Sequence, residues 1–270
     1  MADLDAAIGY VVAHGDSVDR ARLSYLRSGT MPSLDVLEKA EFGDLPDGGW
    51  PALSSSAVPS VDATCFRLAE LADLGALGRP VARAALAWLA RCQYPEGYWQ
   101  EHESLAGVAP PWADPQDPEA TVYLTVHAAY WLAVSAPPRR GYEEQPEYVY
   151  ARNVALAGEA FKTTLAPNGA WPSYLAAGWL GCALLYHLGD YYESAQMQVI
   201  LAERVPDMSP SDVASLTASL RRVGLSPDDW LLQSAFRRLT DTQRHDGAWE
   251  SDDGPAFDVH STLVAIRALS

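Results

Sequence analysis

Lysine is almost missing from this chain. Lys39 and Lys162 are all it has, against 35 acidic residues and a formal net charge of −16. That balance excludes nucleic acid as a partner, because phosphate binding needs clustered Lys and Arg, and it disfavours an anionic membrane surface. The arginine pairs Arg139-Arg140, Arg221-Arg222 and Arg237-Arg238 read as solvated charge on outer helices. Cysteine is scarce too. Cys65, Cys92 and Cys182 are an odd set without a Cys-x-x-Cys spacing, each in an apolar helical pattern, which reads as reduced core thiols of a cytoplasmic protein. No apolar run approaches the ~20 residues that span a bilayer, so no transmembrane segment is expected. Met1-Ala2-Asp3-Leu4-Asp5 carries no basic stretch, so no signal peptide is expected either. Alternating β-branched runs between turn residues are absent, which excludes a sheet protein. There is no Gly-x-Ser-x-Gly elbow, no P-loop, no dinucleotide fingerprint and no acidic pair placed for magnesium diphosphate. No cofactor is expected.

What is present has helical period. The chain is 49% hydrophobic over 270 residues, ample for a sizeable core. No shift in composition marks a boundary, so one domain over 1–270 is expected, with residues 1–42 as N-terminal helices completing it. Segment 61–75 places Thr64, Leu68, Leu71 and Gly75 on one helical face. Asp16 is a good N-cap, and Pro80 falls in the first turn of its segment. The patterning predicts helices over 3–14, 16–28, 33–42, 61–75, 79–93, 117–135, 146–165, 172–188, 190–204, 209–223, 228–243 and 258–270. Loops over 43–59 and 97–116 are rich in Pro, Gly and Ser, and Pro110-Pro111 and Pro137-Pro138 punctuate the second hairpin.

One signal recurs four times: Gly48-Gly49-Trp50, Gly97-Tyr98-Trp99, Gly169-Ala170-Trp171 and Gly247-Ala248-Trp249. Repeats decide architecture before any single residue does. The widest interval, between Trp171 and Trp249, holds two further helical segments that read as a degenerate repeat. The count is five to six helical hairpins. The expected fold is all-α, an α/α toroid with inner helices around a central cavity. An open solenoid would show the same pattern.

The segment Arg83 to Trp99 carries a basic residue, a small one, an aromatic, an aliphatic, then Gln93, Gly97 and Trp99. It resembles the QW repeat of the squalene cyclase, terpenoid cyclase and protein prenyltransferase superfamily. Leu239, Gln243, Gly247 and Trp249 form a second copy, and the other two place Asp44 and Leu165 where Gln would stand. The resemblance covers about residues 36–270. It implies a scaffold in which Gln bonds the next helix start and Trp buries a large area between repeats.

Three inner-helix starts align on threonine: Ser60-Val61-Asp62-Ala63-Thr64, Asp117-Pro118-Glu119-Ala120-Thr121 and Asp258-Val259-His260-Ser261-Thr262. Each has an ionisable residue two before the Thr: Asp62, Glu119 and His260. In a ring these would meet at one end of the cavity, where clustering makes acids and bases. They read equally as helix caps. The proton-initiated branch of the resembling superfamily carries Asp-x-Asp-Asp-Thr at this place. The resemblance implies Asp62 as the proton donor, with Ser60 and Ala63 replacing the flanking acids. Glu119 or His260 would tune or relay the proton. Phe66, Tyr123 and Trp179 would shape an apolar pocket whose aromatic faces suit carbocations. His127 reads as a satisfied core histidine.

The zinc-dependent prenyltransferase branch fits less well. Leu180 stands where its Asp would precede Cys182, and His260 is one residue out of register, so no metal is expected. The favoured function is proton-initiated cyclisation of an apolar isoprenoid or polyene. The alternatives are a non-catalytic toroid that binds a hydrophobic ligand, and an α/α-barrel hydrolase or lyase with Asp62 and Glu119 as paired carboxylates.

Overall fold

The computed structural model describes residues 2–53, 56–135 and 149–270. Arg139-Arg140, Pro137-Pro138 and residues 146–148 of the expected seventh helix lie outside the described residues.

The twelve expected helices all form, within a few residues of the expected bounds. They are α1 Leu4–His14, α2 Ser17–Ser28, α3 Leu34–Glu41, α4 Val61–Asp73, α5 Pro80–Cys92, α6 Pro118–Val134, α7 Ala151–Lys162, α8 Leu175–Leu188, α9 Tyr191–Arg204, α10 Pro210–Arg222, α11 Trp230–Thr242 and α12 Asp258–Leu269. The sequence pattern did not reveal one antiparallel pair of two-residue strands, β1 Trp50–Pro51 and β2 Pro59–Ser60. It is too short to show any alternation. Among the described residues no helix is long and apolar enough to cross a membrane.

The ends of the helices follow local chemistry. Asp16 accepts the Val18 and Asp19 N–H groups, and Asp19 returns a bond to the Asp16 N–H. Asp117 accepts the Glu119 N–H ahead of Pro118, which has no N–H to satisfy. Asp229 accepts the Leu231 N–H and starts α11.

The chain divides into two compact units. The first holds Met1–Phe42, Glu70–Ala76 and Gln198–Ser270. In it α12 packs against α10, α1 and α2. The second holds Gly43–Ala69 and Leu77–Met197. There α6 packs against α5, α7 and α8. The run Ala177–Leu185 of α8 is buried without a break, and α6 is buried on nearly every side, as interior helices are.

All four Gly-x-Trp segments adopt one turn. In the second unit the N–H groups of Leu45, Tyr94 and Ala166 bond the carbonyls of Gly49, Tyr98 and Ala170 at 2.8–2.9 Å. In the first unit Arg244 bonds Ala248 at 2.9 Å. Gly48, Gly97, Gly169 and Gly247 take φ of +96°, +98°, +84° and +90°. Gly97 is also crowded: a Cβ there would sit 2.5 Å from the Leu156 carbonyl oxygen of α7. Only glycine meets both conditions.

The two glutamines act alike. Gln93 bonds the Gly97 and Asn153 carbonyls, and Gln243 bonds the Gly247 and Asp3 carbonyls. Trp99 and Trp249, both fully buried, donate their indole N–H to Leu89 and Leu239 carbonyls at 2.8 Å. Each turn is thereby bonded both to its own helix and to the start of another.

Candidate active site around Asp62

In three of the turns the Trp main-chain N–H reaches a threonine hydroxyl on a following helix. Trp50 bonds Thr64, Trp99 bonds Thr125 and Trp249 bonds Thr262, at 3.0, 3.0 and 3.1 Å. This corrects the register of the second repeat by one helical turn. The threonine equivalent to Thr64 is Thr125, not Thr121, because the loop 97–116 hides where α6 counts from. Two residues before Thr125 stands Tyr123, so Asp62, Tyr123 and His260 hold equivalent positions and Glu119 does not.

Asp62 sits in the first turn of α4, half-buried. Its Oδ1 accepts the Tyr123 hydroxyl at 3.1 Å and lies 3.8 Å from Nδ1 of His127. Its Oδ2 accepts the Trp112 indole N–H at 3.1 Å. Tyr123 and His127 are one turn apart on α6, with rings tilted at 5.2 Å. Burial, and then the Asp62 carboxylate, push the Tyr123 phenol well above its ordinary value. Burial pulls the His127 imidazole down to about 4 although Asp62 works the other way. His127 Nδ1 is buried without a hydrogen-bond partner. It is therefore not the satisfied core histidine that its apolar neighbours suggest.

Beneath Asp62 lies a carboxylate that the patterning did not single out. Glu101, 3% exposed, accepts the Ser60 hydroxyl at 2.7 Å and the Val61 and Asp62 N–H groups at 3.0 Å. Ser60 in turn accepts the Ala63 N–H. A side chain from the turn after Trp99 thus closes the open start of α4. Burial pushes the Glu101 carboxyl up, and its bonds to Asp62, Ser60 and Val61 oppose that. Cys65 is buried and its thiol is raised well above the usual range by burial, then by Asp62 and Glu101. None of the three cysteines forms a disulfide, and Cys65 and Cys182 are buried.

A second group braces the loop that carries Trp112. The Tyr174 hydroxyl contacts Oδ2 of Asp117 at 2.6 Å and the Pro111 carbonyl at 3.0 Å. Its hydrogen bond to Asp117, and then burial, push the phenol up to about 12. Tyr174 stands edge-on to Tyr123 at 6.4 Å.

No family model matches the chain, and no curated protein matches it. Solved structures do. A protein from Actinoplanes shares 18% identity over 98% of this chain and 97% of its own, with a TM-score of 0.64. The type II terpene cyclase MstE from Scytonema shares 14% identity over 98% and 95%, with a TM-score of 0.63. A variant of MstE with merosterolic acid A, named as its product, gives 16% identity and a TM-score of 0.62 over 98% and 94%. Another, with geranylgeranyl dihydroxybenzoate named as substrate, gives 14% and 0.60 over 98% and 95%.

The chain has a terpenoid-cyclase-like fold. It is all-α, in the α/α-toroid class of those enzymes. Within this fold the other expected site residues stand as follows. Glu119 is exposed in the first turn of α6, and its carbonyl accepts the Ser173 hydroxyl at 2.6 Å. Phe66 is 45% exposed and Trp179 is buried in α8. His260 belongs to the first unit, where its Nδ1 lies 3.3 Å from Nη1 of Arg22. Tyr123 is the expected residue that contacts Asp62 directly. Trp112 and Glu101 were missed because each comes from a loop far along the chain, with no periodic pattern to mark it.

Proposed function

We propose that this protein is a proton-initiated cyclase acting on an apolar isoprenoid or polyene, with Asp62 as the acid. The observation that supports the reading most is the pairing of Asp62 with neutral donors. Tyr123 and Trp112, both uncharged, hold the carboxyl in one orientation. A hydroxyl both donates and accepts, so Tyr123 tolerates a protonated Oδ1; an indole N–H only donates. Trp112, 43% exposed, therefore keeps its bond to Oδ2 when Oδ1 carries the proton.

In the reaction the Asp62 O–H bond breaks as a C–H bond forms at an alkene carbon. The other alkene carbon becomes a cation, which the remaining double bonds attack. The cation ends by losing a proton to water, and Asp62 regains one from solvent. Glu119, exposed, would serve that return. Phe66, Tyr123 and Trp179 would shape the pocket and face the cation. Glu101 takes the place of the missing flanking acid by fixing the first turn of α4. The fold shared with enzymes whose ligands are prenylated compounds supports the substrate class.

The test is an assay of the purified protein with polyprenyl substrates, geranylgeranyl arenes included, beside an Asp62→Asn variant. Cyclised product from the wild type and none from the variant is expected. Equal turnover by both removes Asp62 from the chemistry. A bound but unchanged substrate would favour the hydrophobic-ligand-binding reading instead.

A further inference from the structure

Both donors of Asp62 lean on one further side chain. Tyr174, half-buried, comes three residues after Trp171, just past the third Gly-x-Trp turn. The turn fixes its backbone, since the Trp171 indole N–H bonds the Tyr174 carbonyl at 2.9 Å. The hydroxyl lies 2.6 Å from Oδ2 of Asp117, the cap of α6. It also lies 3.0 Å from the Pro111 carbonyl, one residue ahead of Trp112. The ring stands edge-on to Tyr123 at 6.4 Å, within the range where aromatic edges and faces attract.

The repeat explains why a side chain at this place reaches the start of α6. Glu101 stands two residues after Trp99 and closes the start of α4. Ser173 stands two residues after Trp171, and its hydroxyl bonds the Glu119 carbonyl in the first turn of α6 at 2.6 Å. In both cases the segment after the Trp clasps a helix start of the preceding repeat. Tyr174 extends the second clasp to the loop. Its one proton serves two acceptors, weighted to the closer and charged Asp117. That bond holds the phenol up at about 12, so the proton stays in place throughout the neutral range. The turn Pro111–Ala113 is tight in itself, with the Ala113 N–H on the Pro110 carbonyl at 2.9 Å and the Asp114 N–H on the Pro111 carbonyl at 3.3 Å. Moving Pro111 therefore moves Trp112. Trp112 is 43% exposed, so packing alone holds it weakly.

We infer that Tyr174 is a positioning residue for Asp62: its hydroxyl ties the Trp112 turn to the start of α6 while its ring backs Tyr123, so that both donors meet the carboxyl together. Tyr174 itself touches no reacting atom. Its effect on turnover rests on the cyclisation reading. Its hold on the two donors does not.

The experiment is NMR of the full chain carrying nitrogen-labelled tryptophan, with Trp112→Phe identifying the Trp112 indole signal. Tyr174→Phe keeps the ring and drops the hydroxyl. In it the Trp112 indole N–H should exchange with water about tenfold faster or more, the loss of one charge-assisted bond, and its signal should leave the wild-type position. Ser173→Ala removes the neighbouring bond to the same helix start and should leave Trp112 as it is. That contrast separates the brace from a general loosening of α6. With a polyprenyl arene that the wild type turns over, Tyr174→Phe should lower kcat by about tenfold or more and keep KM within about twofold, because the acid is disturbed and the pocket is not. An unmoved Trp112 signal in Tyr174→Phe overturns the proposal. So does an equal change in Ser173→Ala, or a loss confined to KM. A wild type that cyclises nothing ends the cyclisation reading, while a Trp112 released in Tyr174→Phe still upholds the brace.

Discussion

Two aspartates stand near the two ends of α4, and their surroundings differ in kind. Asp62 takes its hydrogen bonds from a phenol and an indole, both neutral. Asp73 takes its from three guanidiniums. The same side chain is thereby given two kinds of surroundings. A carboxylate surrounded by full positive charge is a fixed anion and a structural anchor. A carboxyl held by neutral donors keeps its orientation without an opposite full charge beside it. The comparison shows that the residue type alone, even at a suggestive motif position, does not say what surrounds an aspartate.

Four measurements would break or sharpen that contrast. The largest expected effect is on turnover. Asp62→Asn should lower cyclised product by about 10²–10⁴-fold, the usual contribution of a general acid, while the melting temperature stays near that of the wild type. Next comes Asp73→Asn, which removes a buried charge contacted by three guanidiniums. It should cost about 3–5 kcal/mol by urea denaturation. If Asp73→Asn is as stable as the wild type, the guanidiniums do not depend on that carboxylate and the contrast fails.

The third effect is of pH, and it involves one histidine from each place. His127 and His260 both have folded values of about 4, against 6.5 for an ordinary imidazole. Between those values the unfolded chain takes protons that the folded chain refuses, so stability is full above pH 6.5 and falls as pH drops toward 4. Glu101, raised by burial, acts in the opposite sense, losing its contribution as pH rises through its folded value. Denaturation at pH 7, 5.5 and 4.5 should show the loss. His127→Gln and His260→Gln should each flatten part of it, and an unchanged slope in both would remove the histidines from the account.

The smallest effect concerns Tyr123. Tyr123→Phe should cost about 1 kcal/mol of stability, one hydrogen bond. In an otherwise intact chain, Asp62→Asn should bring the Tyr123 phenol down, because the carboxylate charge helps hold it up. NMR of ring-labelled tyrosine reads that shift. No change would mean that burial alone raises it.

Much of the fold is legible along the chain, and the candidate site is legible in part. Helix bounds follow from apolar spacing and from caps such as Asp16 and Asp229, whose partners lie within three residues. The Gly-x-Trp recurrences mark real turns, since a positive φ and a buried indole are demands that a short segment carries by itself. The register of α6 is legible only to within a turn: a threonine at 121 looks like one at 125 until the Trp99 N–H chooses between them. The arginine pair at 221–222 looked like solvated charge. Arg222 instead reaches Asp73, and Arg221 bonds the Ala268 carbonyl at 2.8 Å.

The amino-acid order alone determined a helical chain with four equivalent turns and an aspartate at the start of α4, because periodicity, capping and turn geometry are settled between near neighbours. Tertiary structure alone decided what surrounds each aspartate. Glu101 meets the Asp62 N–H from 39 positions away, and Arg22 meets Asp73 from 51. Charge and hydrogen bonding act through space, so only the packed chain brings those groups within reach.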